Sequence, residues 1–364
     1  MARRTMAETV RKVTLRQLRM PLHVPYKLSY RTFEAFEPYL VEIVTSEGRL
    51  GFGDGHISPG SSDETRGGGW AFSREMASVC TGRTPAEAMA HVDSNAARSK
   101  VAATAFATAI EVAEQNDLLA IGEAVRLPLL APIAESEPDA IGRELDDLHA
   151  QGFRTVKIKV GRDLEADLAR VAAIQEAGGG RFTFRIDANR AYDQTDGCRF
   201  ASAIDPEGIE LFEQPCAADA WDANAAVARA SVVPLMLDEP ICTNADIERA
   251  ATIEGVGLCK LKLKRFGGLA ALEESLELVR SLGMEPVLGD GLGSEVTAWM
   301  EACVARSTIR NAGEFNGFLK SSISLFDEPL RFSDGAITMP AGYRPSLDPA
   351  RVAAHTTACE VFQA

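Results

Sequence analysis

From about residue 129 onward, short apolar runs alternate with longer amphipathic stretches along the chain. The apolar runs read LLAPIA, TVKIKV, FTFRIDAN, IELFEQP, VPLMLDE, GLCKLKLK, EPVLGDG and RNAGEFN. Between them lie segments such as DLEADLARVAAIQEAGGG and LAALEESLELVRSLG, which carry apolar residues at helical spacing and end on glycine. Eight strands with a helix in each of the seven intervals predict an α/β protein with a parallel sheet of βαβ units. Polar residues stand near the end of almost every run: Lys159, Asp187, Glu213, Asp238, Lys262, Asp290 and Glu314. Their separations, by subtraction, are 28, 26, 25, 24, 28 and 24 residues, each the length of one βα unit. In a closed parallel barrel the strand C-termini share one face, so the repeat predicts that these charges meet in one site.

The first 127 or so residues follow a different pattern. VRKVTLRQLRMPL, YLVEIVTSEG and RLGFGDG predict a three-stranded antiparallel sheet, and the stretch from TPAEAMAHV to AEQNDLL predicts helices. The tail beyond about residue 325, ISLFDEPLRFSDGAITMPAGYRPSLD, lacks the βα rhythm. The expected organisation is an α+β capping domain over residues 1–127, a barrel over 128–325, and a C-terminal segment, 326–364, that returns to the capping domain.

Composition narrows the class of partner. A net charge of -14 and a pI near 5.0 argue against nucleic acid or an anionic membrane and favour a small-molecule substrate. The seven cysteines are scattered and form no CxxC pair, which speaks against a disulfide framework or zinc site and for a reducing, cytoplasmic setting. The basic start MARRTMAETVRK has no apolar stretch behind it, and VAATAFATAI is too short to span a bilayer.

Three acidic residues on successive strands, Asp187, Glu213 and Asp238, suit one hard divalent cation, Mg2+ by preference, and leave coordination sites for a substrate carboxylate. Strand alternation turns Glu239 away from Asp238, so Glu239 is read as a supporting residue. Lysines flank this acidic arc. Lys157 and Lys159 share one face of their strand, and in GLCKLKLK the three lysines Lys260, Lys262 and Lys264 share another. A lysine whose pKa is lowered by a metal and neighbouring cations is a usable general base. A reaction that needs both components is removal of a proton α to a carboxylate: the cation stabilises the ene-diolate while a lysine takes the proton.

At these residues the chain resembles the enolase superfamily and, within it, the muconate-lactonizing-enzyme-like subgroup. KIK at 157–159, DAN at 187–189, EQP at 213–215, DEP at 238–240 and KLKRFGG at 262–268 follow that subgroup's motifs in order. The resemblance implies a (β/α)7β TIM-type barrel with a capping domain from both termini. It also implies that Lys159 and Lys262 act on opposite faces of the substrate, with Lys157, Lys260, Lys264 and Asn189 in support. The five histidines miss every barrel strand, which disfavours the mandelate-racemase-like subgroup. In dipeptide epimerases of the subgroup an Asp-x-Asp pair at the eighth strand binds the substrate ammonium; here the residues are Glu314, Phe315 and Asn316, with Asp290 on the neighbouring strand. Lid loops are expected near 21–34 and 54–72, bringing Tyr26, Tyr30, His56 and Trp70 over the substrate. HISPGSSDET and GEFNGFLK are similar to members that dehydrate cis-3-hydroxyproline.

The leading expectation is dehydration of a small hydroxylated amino acid, cis-3-hydroxy-L-proline in particular. One of Lys159 and Lys262 would be the base and the other would help hydroxide leave. An amino-acid or dipeptide epimerase or racemase, or a cycloisomerase, is the alternative within the superfamily. A Schiff-base aldolase would leave the three carboxylates unexplained, and a catalytically silent barrel would not need lysines on both walls. The expected partners are a small-molecule carboxylate and further copies of the chain.

Overall fold

The computed structural model describes residues 7–27, 32–60 and 62–364. Its N-terminal part runs β1 (Val10–Leu18), β2 (Met20–Lys27), β3 (Thr32–Phe36), β4 (Tyr39–Thr45), β5 (Leu50–Gly55), α1 (Arg66–Cys80), α2 (Pro85–Asn95) and α3 (Lys100–Ala113). β1, β4 and β5 form the antiparallel sheet expected from the sequence. β2 and β3 pair as a separate hairpin where a lid loop was expected.

The glycines of β5 have a specific purpose. A Cβ on Gly51 would lie 2.0 Å from the Ala109 carbonyl oxygen, one on Gly53 2.3 Å from that of Ala105, and one on Gly55 2.5 Å from that of Val101. The strand therefore lies directly on the backbone of α3, and α3 accepts it because its facing residues are small. Nearly all of that helix is buried, as VAATAFATAI requires.

The barrel follows as β6 (Val125–Pro128), β7 (Leu130–Ile133), α4 (Pro138–Ala150), β8 (Thr155–Lys159), α5 (Leu164–Gly178), β9 (Thr183–Asp187), α6 (Gln194–Ala203), β10 (Ile209–Glu213), α7 (Trp221–Ala230), β11 (Leu235–Leu237), α8 (Asn244–Ala251), β12 (Val256–Leu261), α9 (Leu263–Phe266), α10 (Leu269–Ser281), β13 (Glu285–Leu288) and α11 (Glu295–Thr308). β7 to β13 form one parallel sheet in sequential order. Alternation does what the pattern predicted: Val156, Ile158, Ile186 and Leu261 join the core against the surrounding helices, while Leu211, Met236, Leu258 and Val287 form a small cluster of their own.

Two strand expectations are corrected. RNAGEFN does not form a regular eighth strand: its ladder is reduced to the bridge between Leu129 and Gly313. The barrel still closes there, because Leu130 N–H donates to the Gly313 carbonyl and Glu314 N–H to that of Leu288, joining both edges of the sheet. GLCKLKLK leaves the sheet at Leu261; Lys262 is extended, and Lys264 lies on the single turn α9. The uniform alternation expected of its three lysines therefore ends before Lys264.

The tail first lays β14 (Arg331–Ser333) and β15 (Ala336–Met339) against β6, then runs through α12 (Pro349–His355) to β16 (Thr356–Gln363), which pairs with β1. Among the contacts that tie α3 to the barrel, Glu111 accepts from the N–H groups of Leu269 (2.7 Å) and Ala270 (3.2 Å), capping α10 from outside its own sequence neighbourhood. Among the described residues no helix is long and apolar enough to cross a membrane. The fold is a (β/α)7β TIM-type barrel with an α+β capping part to which both ends of the chain contribute.

Candidate active site

The strand ends open into a cavity of about 830 Å3. Numbered around the ring from β7, Lys159 stands on the second strand and Lys262 just past the sixth, half a turn apart. Asp187, Glu213 and Asp238 end or follow the third, fourth and fifth strands between them. All five line the cavity. Parallel register sets this: Lys159 lies opposite Asp187, and Asp187 opposite Glu213.

The floor is a buried charge network. The Lys157 ammonium sits 2.9 Å from Asp187, 2.5 Å from Glu213 and 3.0 Å from Glu314. Lys260 donates to Glu213 (3.1 Å) and also pairs closely with Glu314. Burial alone would lower the pKa of both lysines, but the carboxylates raise them, Lys157 well above the usual lysine range. Both are fixed cations. Arg185, fully buried two residues before Asp187, holds Glu210, the Ala312 carbonyl and Glu314 from below.

Higher up, Lys159 donates to Asp187 and to Asn189, at 2.5 Å each. Asn189 and Arg190 follow the strand at positive φ, 44° and 69°, a tight turn that aims Asn189 back at Lys159. Lys262 donates to Asp238 at 2.9 Å, and Arg265 holds the other oxygen of the same carboxylate at 2.9 Å. Burial, then the neighbouring Arg265 guanidinium, lowers the Lys262 pKa below the ordinary lysine value. Asp187 and Asp238 resist the upward push of burial because lysines, and Arg265 for Asp238, hold them below the usual carboxylate range. Glu213 goes the other way: burial and the charge on Asp187 push it up.

All three carboxylates are hard oxygen donors, but among the described residues they do not form a ready-made ion cage. Lys157 and Lys260 occupy the ground between Asp187, Glu213 and Glu314.

The other expected site residues divide. Glu239 reaches the cavity and pairs with Arg190 at 3.1 Å. Lys264, expected in a supporting role, is largely buried against Asp290. Glu314 lines the cavity floor, but with Lys157, Lys260 and Arg185 around it, it has no charge to spare for a substrate ammonium. Asn316 and Tyr26 line the cavity. His56 is buried edge-on against Phe33 and Phe36, and Trp70 packs on Tyr39; neither reaches the cavity, because both belong to the packing of the capping part. Tyr30 lies outside the described residues. Arg265 and Lys320 line the cavity and were not singled out in the sequence. Arg265 was masked by its position beyond the strand, and Lys320 by its place in an unpatterned segment.

The family model described as Enolase C-terminal domain-like matches residues 140–345. The chain is similar to the L-Ala-D/L-Glu epimerase of Clostridium acetobutylicum, with 27% identity over 79% of this chain and 84% of that one. It is also similar to muconate cycloisomerase 1 of Acinetobacter baylyi, with 25% identity over 88% and 92%. A dipeptide epimerase from Cytophaga hutchinsonii, solved with Mg and D-Ala-L-Val, superposes with a TM-score of 0.87 over 98% of this chain and all of that one, at 22% identity. With more than half its length matched by the family model, the chain belongs to the enolase superfamily.

Proposed function

We propose that the protein is an enzyme that removes the proton α to the carboxylate of a small amino-acid-derived substrate, using one Mg2+. The observation that carries this reading is the ring arrangement: two lysines half a turn apart with three carboxylates on the arc between them. The donor set fits a hard dication. Asp187, Glu213 and Asp238 supply only oxygen, and each is paired with lysine ammonium groups, so this arc is built to face positive charge. These three residues would hold the cation, which when bound would take up the negative charge that grows on the substrate carboxylate.

The remaining work falls to the chain's own groups. Lys262, with its lowered pKa, is the better base at its Nζ. Lys159 stands on the opposite wall, where its ammonium donates the proton with which hydroxide leaves as water in a dehydration, or returns a proton to the other face of the same carbon in an epimerisation. Lys157 and Lys260 stay charged and hold the carboxylates in place. Lys264 supports Asp290, while Asn189 orients Lys159.

For the outcome after proton removal we propose dehydration of a β-hydroxylated amino acid, with cis-3-hydroxy-L-proline as the specific substrate, on the strength of the HISPGSSDET and GEFNGFLK stretches. Epimerisation is the second reading, favoured by the relatives named as epimerases and by lysines on both faces. The experiment is incubation with MgCl2 in deuterated water, followed by proton NMR. Dehydration consumes the hydroxyproline and yields a cyclic imine; epimerisation returns the amino acid labelled at Cα. Failure to label or consume any proline, hydroxyproline or dipeptide in a panel would sink the proposal.

A further inference from the structure

The ring that separates the two lysines also fixes where the rest of a substrate must go. With its carboxylate at the acidic arc and its α-carbon between Lys159 and Lys262, its two remaining substituents, the amino nitrogen and the side chain, point away from the arc, and the wall made by the seventh and eighth ring positions is open to the side chain. That wall contains three ionisable residues that line the cavity, and their charges are not equally available. Asp290 is paired with Lys264, and Glu314 with Lys157, Lys260 and Arg185. Lys320 is different. Its ammonium donates to two neutral acceptors, the Gly291 carbonyl at 3.0 Å and Asn316 Oδ1 at 3.1 Å, and lies 4.7 Å from the centre of the Tyr26 ring. Among the described residues no carboxylate comes within ion-pair distance of it. Asn316 is itself oriented, since its amide nitrogen donates to the Leu130 carbonyl at 3.0 Å.

A cation held in a cavity wall by neutral groups alone keeps most of its field for a ligand. We propose that Lys320, steered by Asn316 and Tyr26, is a specificity residue that donates to an oxygen substituent on the substrate, on the chain beyond the reacting carbon. The occupant is an oxygen acceptor, hydroxyl in the leading case, and not an ammonium, for which this wall has no free negative charge. Burial pulls the Lys320 pKa down to about 8, so the group is still predominantly charged at neutral pH; Asp290 and Glu314 oppose that shift and Lys159 reinforces it. The inference rests on the α-proton reading of the site but not on dehydration as its outcome.

The test compares matched substrates with and without the oxygen: cis-3-hydroxy-L-proline against L-proline, and L-threonine against L-2-aminobutyrate. The readout is kcat/KM for loss of the α-proton in deuterated water with MgCl2, for wild type, Lys320→Met and Lys320→Gln. Wild type is expected to prefer the oxygenated member, and Lys320→Met to lower that member alone by roughly 10- to 100-fold, as loss of one charge-assisted hydrogen bond does. Lys320→Gln, which keeps a donor, should recover part of the loss, and its urea midpoint guards against misfolding. Equal loss on both members of a pair, or a wild type without preference, overturns this inference while leaving the α-proton reading intact. A wild type inert on every substrate overturns both.

Discussion

Replacing Arg185 by methionine probes how the barrel closes. The arginine side chain is fully buried inside the ring and joins the third strand to the incomplete eighth. It donates to Glu210 at 2.8 Å, to the Ala312 carbonyl at 3.0 Å and to Asn311 Oδ1 at 3.2 Å, and stands 3.4 Å from Glu314. Methionine keeps the apolar stem and removes every donor. Removing one member of a buried ion pair costs about 3–5 kcal/mol. The lower end applies, because the Glu210 side chain is 26% exposed and can be rehydrated, and Glu314 retains Lys157 and Lys260. The Ala312 and Asn311 oxygens, left without this donor, contribute about 1 kcal/mol each within that total. The expected loss is therefore about 3 kcal/mol, which at a urea m-value of about 3 kcal/mol/M lowers the midpoint by about 1 M. Urea unfolding followed by circular dichroism and by tryptophan fluorescence checks it. A loss below about 1 kcal/mol would mean that the arginine's own desolvation cancels its contacts, and the reasoning about seam closure would fail.

Other outcomes follow from the same geometry. Glu301 is buried, and burial pushes its pKa up to about 8 from an unfolded value near 4.5. The native state then binds a proton that the unfolded chain has lost, so stability should fall as pH rises from about 4.5 to 8 and level off above; Glu301→Gln, which can still accept from Leu263 N–H, should flatten that fall, as seen in urea midpoints at pH 5 and 8. Lys262→Gln should cut α-proton exchange by roughly 10²- to 10⁴-fold, the usual worth of a positioned base, with an unchanged circular dichroism spectrum; exchange at the wild-type rate would remove Lys262 from the mechanism. Chelation with EDTA should abolish exchange and added MgCl2 restore it, whereas exchange that survives exhaustive chelation would contradict the proposed role of Asp187, Glu213 and Asp238.

Much of this was legible because two periods carry it. Alternation at period two placed Lys157 and Lys159 on the inner face, and the recurrence of one polar strand end per βα unit placed Asp187, Glu213 and Asp238 side by side. Legibility stopped where the backbone left those periods. Lys264 followed the pattern on paper, but the strand ends at Leu261, so it turns instead to Asp290. His56 and Trp70 sat in a stretch of plausible lid composition, yet aromatic packing inside the capping part claimed them. Arg185 shares its face with Asp187 and could have been found by the same alternation; Lys320, the last residue of GEFNGFLK, lies beyond the last strand and on no repeat, so neither period gave it a place in the site.

The cap that Glu111 provides for α10 has a mechanical meaning. α3 is pressed onto β5 through bare glycine backbone on one side and bolted to the start of α10 on the other, immediately after the Lys262–Gly268 turn. A rigid-body swing of the capping part would have to strip the carboxylate from that helix end and shear the glycine contact at the same time. Lys262, which opens that turn and lines the cavity, is thereby tied to the same frame as the capping part.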